Sequence, residues 1–201
     1  RYEHGTMVSS LVSGASTLND RHSWLPETHS KVHDVCALDE DGSYISDLII
    51  RLTDAVSKRP DIKIWNLSLG GGPCSEHSFS DFSMALDKLS DQYGVLFVVA
   101  AGNYLDEPIR TWPDPDSLNG NDLVSSPGES VRALTVGSIS HIDAADALSA
   151  LGTPTPYSRR GPGPIFTPKP DIIHAGGGVH APWSVGSSSL KVIGPDNRIY
   201  S

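Results

Sequence analysis

Cysteine is scarce: Cys36 and Cys74 are the only two among 201 residues. They form no CxxC pair and no framework of four or more, which excludes a zinc ribbon or a disulfide scaffold. Two free, largely buried thiols are the expectation, with a single disulfide left open for an exported protein. No run of about 20 apolar residues occurs, so no helix here is apolar enough to cross a bilayer. No run of Lys and Arg occurs either. The formal net charge is -9 and the sequence pI about 5.2. Such a chain lacks the phosphate attraction that drives binding to nucleic acid or to anionic membranes, so neither is expected as a partner. Also missing is a starting Met. The chain opens at Arg1, its true N-terminus is expected upstream, and the lack of a signal segment leaves the compartment undetermined.

What is present is an ordinary globular balance, 38% hydrophobic and 19% charged residues, in a length that suits one domain. Met7, Val8, Leu11 and Val12 fall at helical spacing between His4 and Gly14, with Gly14 a natural C-terminal stop. Residues 15–30 are polar and read as a loop, and Val32–Leu38 as a strand. Ile45, Leu48, Ile49, Leu52 and Val56 mark the inner face of a helix that Pro60 ends. Ile62–Leu67 reads as a strand leading into Gly70-Gly71-Gly72. Phe79, Phe82, Leu86 and Leu89 define another helix. Val95–Ala100 is a continuous apolar run, as for a strand covered on both faces. Alternation of strand and helix over this stretch predicts an α/β fold, a parallel β-sheet flanked by helices on both faces. Residues 104–130, rich in Pro, Asp, Asn and Gly, read as a long surface loop. Regular structure is expected again at Val131–Val136 and Asp171–Ile173. Lys191–Ile193 and Arg198–Tyr200 flank Gly194-Pro195-Asp196-Asn197 as a hairpin. No repeat and no dividing linker is visible.

Six segments carry a family resemblance. Glu3-His4-Gly5-Thr6-Met7-Val8, with Gly14 ten residues after the histidine, is similar to the HGTxV segment of subtilases. Asn66-Leu67-Ser68-Leu69-Gly70-Gly71 resembles that family's NMSLGG strand end, and Val98-Val99-Ala100-Ala101-Gly102-Asn103 its VAAAGN element. Ser126-Pro127 followed by Val131–Gly137 resembles its "PA…vitVGA" stretch. Tyr157-Ser158 with Gly161-Pro162 resembles "FSnyGP". Lys169-Pro170-Asp171-Ile172-Ile173 resembles "KPDivAPG", with His174-Ala175-Gly176 in place of Ala-Pro-Gly. The order and spacing are the family's, from His4 to about Gly178.

The resemblance implies a serine endopeptidase domain hydrolysing peptide bonds through an Asp-His-Ser triad. His4 would be the general base and Asn103 the oxyanion donor. A neutral imidazole takes the proton of a hydroxyl too weakly acidic to ionise near neutral pH, and a carboxamide donates without exchanging a proton. Ser68-Leu69-Gly70 would line one side of an extended substrate and Gly42-Ser43-Tyr44 the other, with Ala101-Gly102 a wall of the primary pocket. Ser126-Pro127 falls where the family often has a cis proline, although trans is favoured from sequence alone.

Two motifs of the family are missing. Only Arg1, Tyr2 and Glu3 precede His4, so there is no upstream Asp-(Ser/Thr)-Gly, and no Gly-Thr-Ser occurs. Ser201 is expected to precede the nucleophile motif rather than be the nucleophile. Residues 1–201 are therefore expected to form part of one subtilase catalytic domain, cut at both ends and inactive as such. The cut predicts an unpaired strand edge and an apolar patch, the edge closed by direct pairing of the first two strands or hidden in a homodimer.

Other readings carry less. Gly70-Gly71-Gly72 lacks the Lys-Ser/Thr or GxGxxG context of a phosphate cradle. Asp114, Asp116, Asn119, Asn121 and Asp122 offer oxygen ligands, but their spacing matches no calcium motif, so no cofactor is expected to be required. His22, His29, His33, His77, His141, His174 and His180 show no zinc spacing. The alternatives are a non-catalytic subtilase-like domain that binds peptides or acts as a scaffold, and, on coarse fold alone, an unrelated nucleotide-binding domain.

Overall fold

The computed structural model describes residues 2–20, 25, 27, 30–38, 42–104, 112, 121–141, 143, 145, 147–180, 184–185 and 190–200. They fall into two compact units, Arg1–Ser43 with Ser187–Ser201, and Tyr44–Gly186. The sequence, showing no dividing linker, does not announce this division.

In the smaller unit the first helix, α1, spans Tyr2–Leu18. Gly14 does not stop it. The backbone leaves helical geometry there (φ -170°, ψ 16°) and the helix resumes beyond this kink. Residues 15–18 are thus helical rather than loop. The tail hairpin forms as expected, with β7 (Val192–Ile193) antiparallel to β8 (Ile199–Tyr200). Its turn closes through Gly194 N–H donating to the Arg198 carbonyl (2.9 Å), with Asn197 left-handed at φ 61°. The hairpin packs on α1: the Asn19 amide donates to the Lys191 carbonyl (3.0 Å), and Ile193 N–H donates to Ser10 Oγ (3.1 Å).

Val32–Leu38 is not a strand. These residues join no ladder, and both Val32 and Leu38 are exposed. Alternation of apolar residues makes a strand only where a neighbour accepts its hydrogen bonds, and no such neighbour stands among the described residues. The predicted pairing of the first two strands is accordingly not formed.

The larger unit is the expected α/β core. It runs α2 (Ile45–Lys58), β1 (Ile64–Leu67), α3 (Asp81–Tyr93), β2 (Leu96–Ala100), β3 (Leu134–Ser140) and β4 (Ile172–Gly177). The four strands lie in the order β1-β2-β3-β4, every neighbouring pair parallel. A short antiparallel pair, β5 (Val179–His180) and β6 (Ser184–Val185), follows. Helix α3 is bounded by local chemistry. Ser80 caps its start, its Oγ accepting from Ser83 N–H (3.2 Å), and Gly94 ends it in the left-handed region at φ 60°.

Period-two burial splits the sheet. Trp65, Leu67, Phe97, Val99 and Thr135 are buried, together with Leu48, Leu52 and Val56 of α2 and Phe82, Leu86 and Leu89 of α3. The alternate residues face outward: Ile64, Leu96 and Ile172 are 67%, 38% and 46% exposed. β2 therefore alternates instead of being buried throughout as its apolar run predicted. Among the described strands β1 pairs with β2 alone.

The largest departure concerns residues 121–130. Predicted as surface loop, the segment from Asp122 to Ser130 is wholly buried. Of the remainder of that predicted loop, residues 105–111 and 113–120 lie outside the described ones. Ser126–Pro127 is cis, as are Gly161–Pro162 and Lys169–Pro170.

The two cysteines form no disulfide, and Cys36 is exposed rather than buried. Burial, then the nearby Glu129 carboxylate, pushes the Cys74 thiol up to about 11. At pH 8 such a thiol is ionised to only about 0.1%, and the thiolate is the reactive form. Iodoacetamide at pH 8 is therefore expected to modify Cys36 and spare Cys74 until denaturant is added, as read by peptide mass spectrometry.

Candidate active site

The parallel register of β1 and β2 brings Leu67 beside Val99. Both strands release their following segments at the same carboxyl edge, where open α/β sheets build their sites. Residues 68–74 leave β1, and residues 101–104 leave β2. The buried 122–126 segment joins the two. Gly71 N–H donates to the Ser126 carbonyl (2.7 Å), Ser126 N–H to Gly72 (3.0 Å) and Cys74 N–H to Val124 (2.8 Å). Ser125 N–H donates to the Ala101 carbonyl (2.8 Å), and Ala101 N–H to Val136 (2.9 Å).

Two glycines make this approach feasible. At Gly102, φ is 97°, a left-handed value, and an added Cβ would stand 2.6 Å from Ser125 Cβ. At Gly70 an added Cβ would stand 3.2 Å from the same Ser125 Cβ. The Ser125 side chain thus sits between the two predicted substrate walls, Ser68-Leu69-Gly70 and Ala101-Gly102. Ser68 Oγ accepts from the Asn66 amide (3.0 Å).

The segment is pinned from beneath by α3. Asp87 accepts from Ser130 Oγ (2.5 Å) and Arg132 N–H (2.8 Å). Glu129, fully buried, accepts from Ser80 N–H at the helix start (3.1 Å), where the positive end of the helix favours a carboxylate. Ser80 and Ser126 hydroxyls meet at 2.6 Å.

Asn103 follows directly. It is exposed, bridges antiparallel to Ser158, and its carbonyl accepts from Arg159 Nε (3.0 Å). Tyr104 N–H donates to the Tyr157 carbonyl (2.8 Å). A cavity of about 270 Å³ opens beside it, lined by Ala101, Gly102, Asn103, Ser138, Tyr157 and His174 among others. His174, to which the sequence reading assigns nothing, stands at the position where the resembled motif has alanine.

His4 is exposed on the first turn of α1, and Gly42 (φ 96°) and Ser43 also belong to the smaller unit. Ser43 Oγ donates to the Ala37 carbonyl (3.2 Å). Tyr44 opens the larger unit as the residue before α2, its carbonyl accepting from Asp47 and Leu48 N–H (3.0 and 3.1 Å). Gly42-Ser43-Tyr44 is thus the lead-in to α2. Among the acidic and amide residues weighed and set aside as calcium ligands, Asp122 is fully buried in an ion pair with Arg160 (2.7 Å). Asp114, Asp116 and Asn119 lie outside the described residues.

The model of the subtilase family matches residues 1–199. The chain belongs to the subtilase family. Pyrolysin of Pyrococcus furiosus is 28% identical over 225 residues, covering 89% of this chain and 15% of pyrolysin. An uncharacterized protein, y4bN, of Sinorhizobium fredii is 29% identical over 113 residues, covering 48% of this chain and 26% of its own length. Among solved structures, a lanthipeptide protease covers 96% of this chain and 48% of its own, at 16% identity and TM-score 0.55. MycP1 from the ESX-1 type VII secretion system covers 98% and 51%, at 20% identity and TM-score 0.51. These two likenesses show the fold. The chain spans about half the length of these solved structures and a much smaller part of the curated relatives.

The matched model is that of peptidase family S8, and the likeness runs over nearly the whole chain. Sequence reasoning missed Ser125, Glu129 and Arg159. The only signal for Arg159 was a departure: Tyr157-Ser158-Arg159-Arg160 carries arginine where the resembled element has a small polar residue. Ser125 and Glu129 carried no signal, because their partners are remote in sequence.

Proposed function

We propose that this chain carries the histidine and asparagine of a serine endopeptidase site that hydrolyses peptide bonds through an Asp-His-Ser triad, the aspartate and serine being supplied from outside residues 1–201. The observation that carries the reading is the Asn103 turn. It stands on the carboxyl edge of a parallel sheet, held on both sides of its main chain, beside two glycine-containing walls spaced by Ser125.

In this mechanism His4 removes the serine proton as the hydroxyl attacks the scissile carbonyl, then returns it to the leaving amine. The aspartate holds the imidazole tautomer. Asn103 donates to the oxyanion of the tetrahedral intermediate, where charge appears only in the transition state. An extended polypeptide is held by Ser68-Leu69-Gly70 on one side and by Gly42-Ser43-Tyr44 on the other, its primary side chain against Ala101-Gly102. Every proton transfer uses side chains, and no cofactor enters a step. The open edge of β1 and the exposed Ile64 and Leu96 fit a homodimer of the isolated chain, with no nucleic acid or membrane as partner.

The test extends the chain by about 50 residues at each end, in keeping with domain size, and follows casein hydrolysis with and without a serine-directed inhibitor. Inhibitor-sensitive cleavage that His4→Ala abolishes is the expected result. A folded extended protein that binds casein without cutting it supports a peptide-binding scaffold instead.

A further inference from the structure

Arg159 links the site in a way no other described side chain does. Its Nε donates to the Asn103 carbonyl at 3.0 Å, and its Nη1 donates to the carbonyls of Asn121 and Leu123 at 2.5 and 2.9 Å. Its stem lies against Gly102, where an added Cβ would come within 2.9 Å of Arg159 Cδ. One half-buried guanidinium therefore ties the turn bearing Asn103 to the buried segment that holds Ser125. Arginine suits this role because its donors form a rigid planar fork that stays charged at any working pH.

We propose that Arg159 is a positioning residue for the oxyanion donor, acting through the Asn103 main chain. The inference rests on the reading of Asn103 given above. The amide nitrogen of an asparagine can be aimed no better than the Cα frame that carries it. On the amino side that frame is set by Gly102, at φ 97°, a geometry a side-chain-bearing residue rarely adopts. On the carboxyl side it is set by the carbonyl that Arg159 grips and by Tyr104 N–H bonded to Tyr157. A donor displaced by about 1 Å stabilises the transition state far less while ground-state binding hardly changes. Neighbouring Arg160 acts elsewhere. Its Nε pairs with buried Asp122 and its Nη1 donates to the Gly161 carbonyl.

The experiment compares the extended protein with its Arg159→Gln, Asn103→Ala and doubly substituted forms, reading kcat, KM and thermal midpoint on a peptide substrate. Arg159→Gln is expected to lower kcat about tenfold or more with KM within about twofold, since it removes help given mainly in the transition state. In the Asn103→Ala background the same change is expected to cost almost nothing further, because residues acting as a unit are not additive. Should Arg159→Gln fail to fold, Arg159→Lys carries the test: it keeps the stem and charge but cannot reach three carbonyls, and a smaller kcat loss confined to the Asn103 background is expected. An equal kcat loss in both backgrounds overturns the proposal, because Arg159 then acts independently of Asn103. Unchanged kcat in Arg159→Gln, with Asn103→Ala impaired, overturns it alone. An Asn103→Ala form that keeps its kcat, or an extended protein without activity, overturns the underlying reading and this proposal with it.

Discussion

Asn103→Ala in the extended protein is expected to lower kcat about 10²–10³-fold, the range known for loss of the oxyanion asparagine in subtilisin, a member of the same family from which the magnitude is taken. KM is expected to stay within about twofold, because the lost hydrogen bond forms to charge that develops only in the transition state. Steady-state kinetics on a single peptide substrate reads both numbers. The direction is specific. A residue of the primary pocket would raise KM, and a residue holding only the fold would lower the concentration of active sites instead. Gly102 supplies the contrast. A Cβ there meets Ser125 at 2.6 Å in a left-handed backbone, so Gly102→Ala should damage folding and kinetics together. A rise in KM with kcat intact for Asn103→Ala would remove this residue from the oxyanion role.

The second large effect is on stability. Asp171→Ala is expected to destabilise the larger unit by about 2 kcal/mol, because the Asp171 carboxylate, its side chain 34% exposed, is the charge partner of a buried Lys169 ammonium that the change leaves unpaired. The Lys169 side chain is only 2% exposed, and its ammonium donates to the Asp171 carboxylate (2.7 Å) and the Ala133 carbonyl (3.0 Å). The same carboxylate oxygen accepts from the N–H of Thr135 (2.7 Å), a fully buried residue of β3. Removing it strands an ammonium in the interior and a main-chain donor beside it. Urea unfolding followed by circular dichroism reads the effect as a lower midpoint at unchanged slope. Lys169→Met together with Asp171→Ala should recover part of the loss, since no buried charge is then left unpaired. A midpoint unchanged in Asp171→Ala would show that water reaches the Lys169 ammonium.

These residues also show where reading the chain succeeded. The α/β class, β1, β2, α2, α3, the tail hairpin and the segment bearing Asn103 were all legible. Each depends on patterns within about fifteen residues: helical spacing in Leu48, Leu52 and Val56 and in Phe82, Leu86 and Leu89, and a Gly-Pro-Asp-Asn turn. The Ala101-Gly102-Asn103 site segment was legible for a related reason. Its glycine and its asparagine stand directly after an apolar strand, so chemistry and location appear in one stretch of sequence.

Val32–Leu38 failed as a strand because its pattern is local while the ladder partner it needs is not. Residues 122–130 failed the opposite way. Asp122, Ser125, Ser126, Glu129 and Ser130 look like a solvated loop, yet all are buried. Many of their polar groups bond to Gly71, Gly72, Ser80, Asp87 and Arg160, which come from other parts of the chain. Burial of a polar segment is decided by whether partners arrive, and composition does not contain that information.

The sequence by itself determined the family, the parallel sheet and the identity of the two residues proposed for chemistry, because motif and periodicity are properties of contiguous chain. Only the tertiary structure decided that Ser125 spaces the two walls and that Arg159 grips Asn103. Hydrogen bonds from one guanidinium to the carbonyls of residues 103, 121 and 123 exist only once β2 and the 122–126 segment lie side by side.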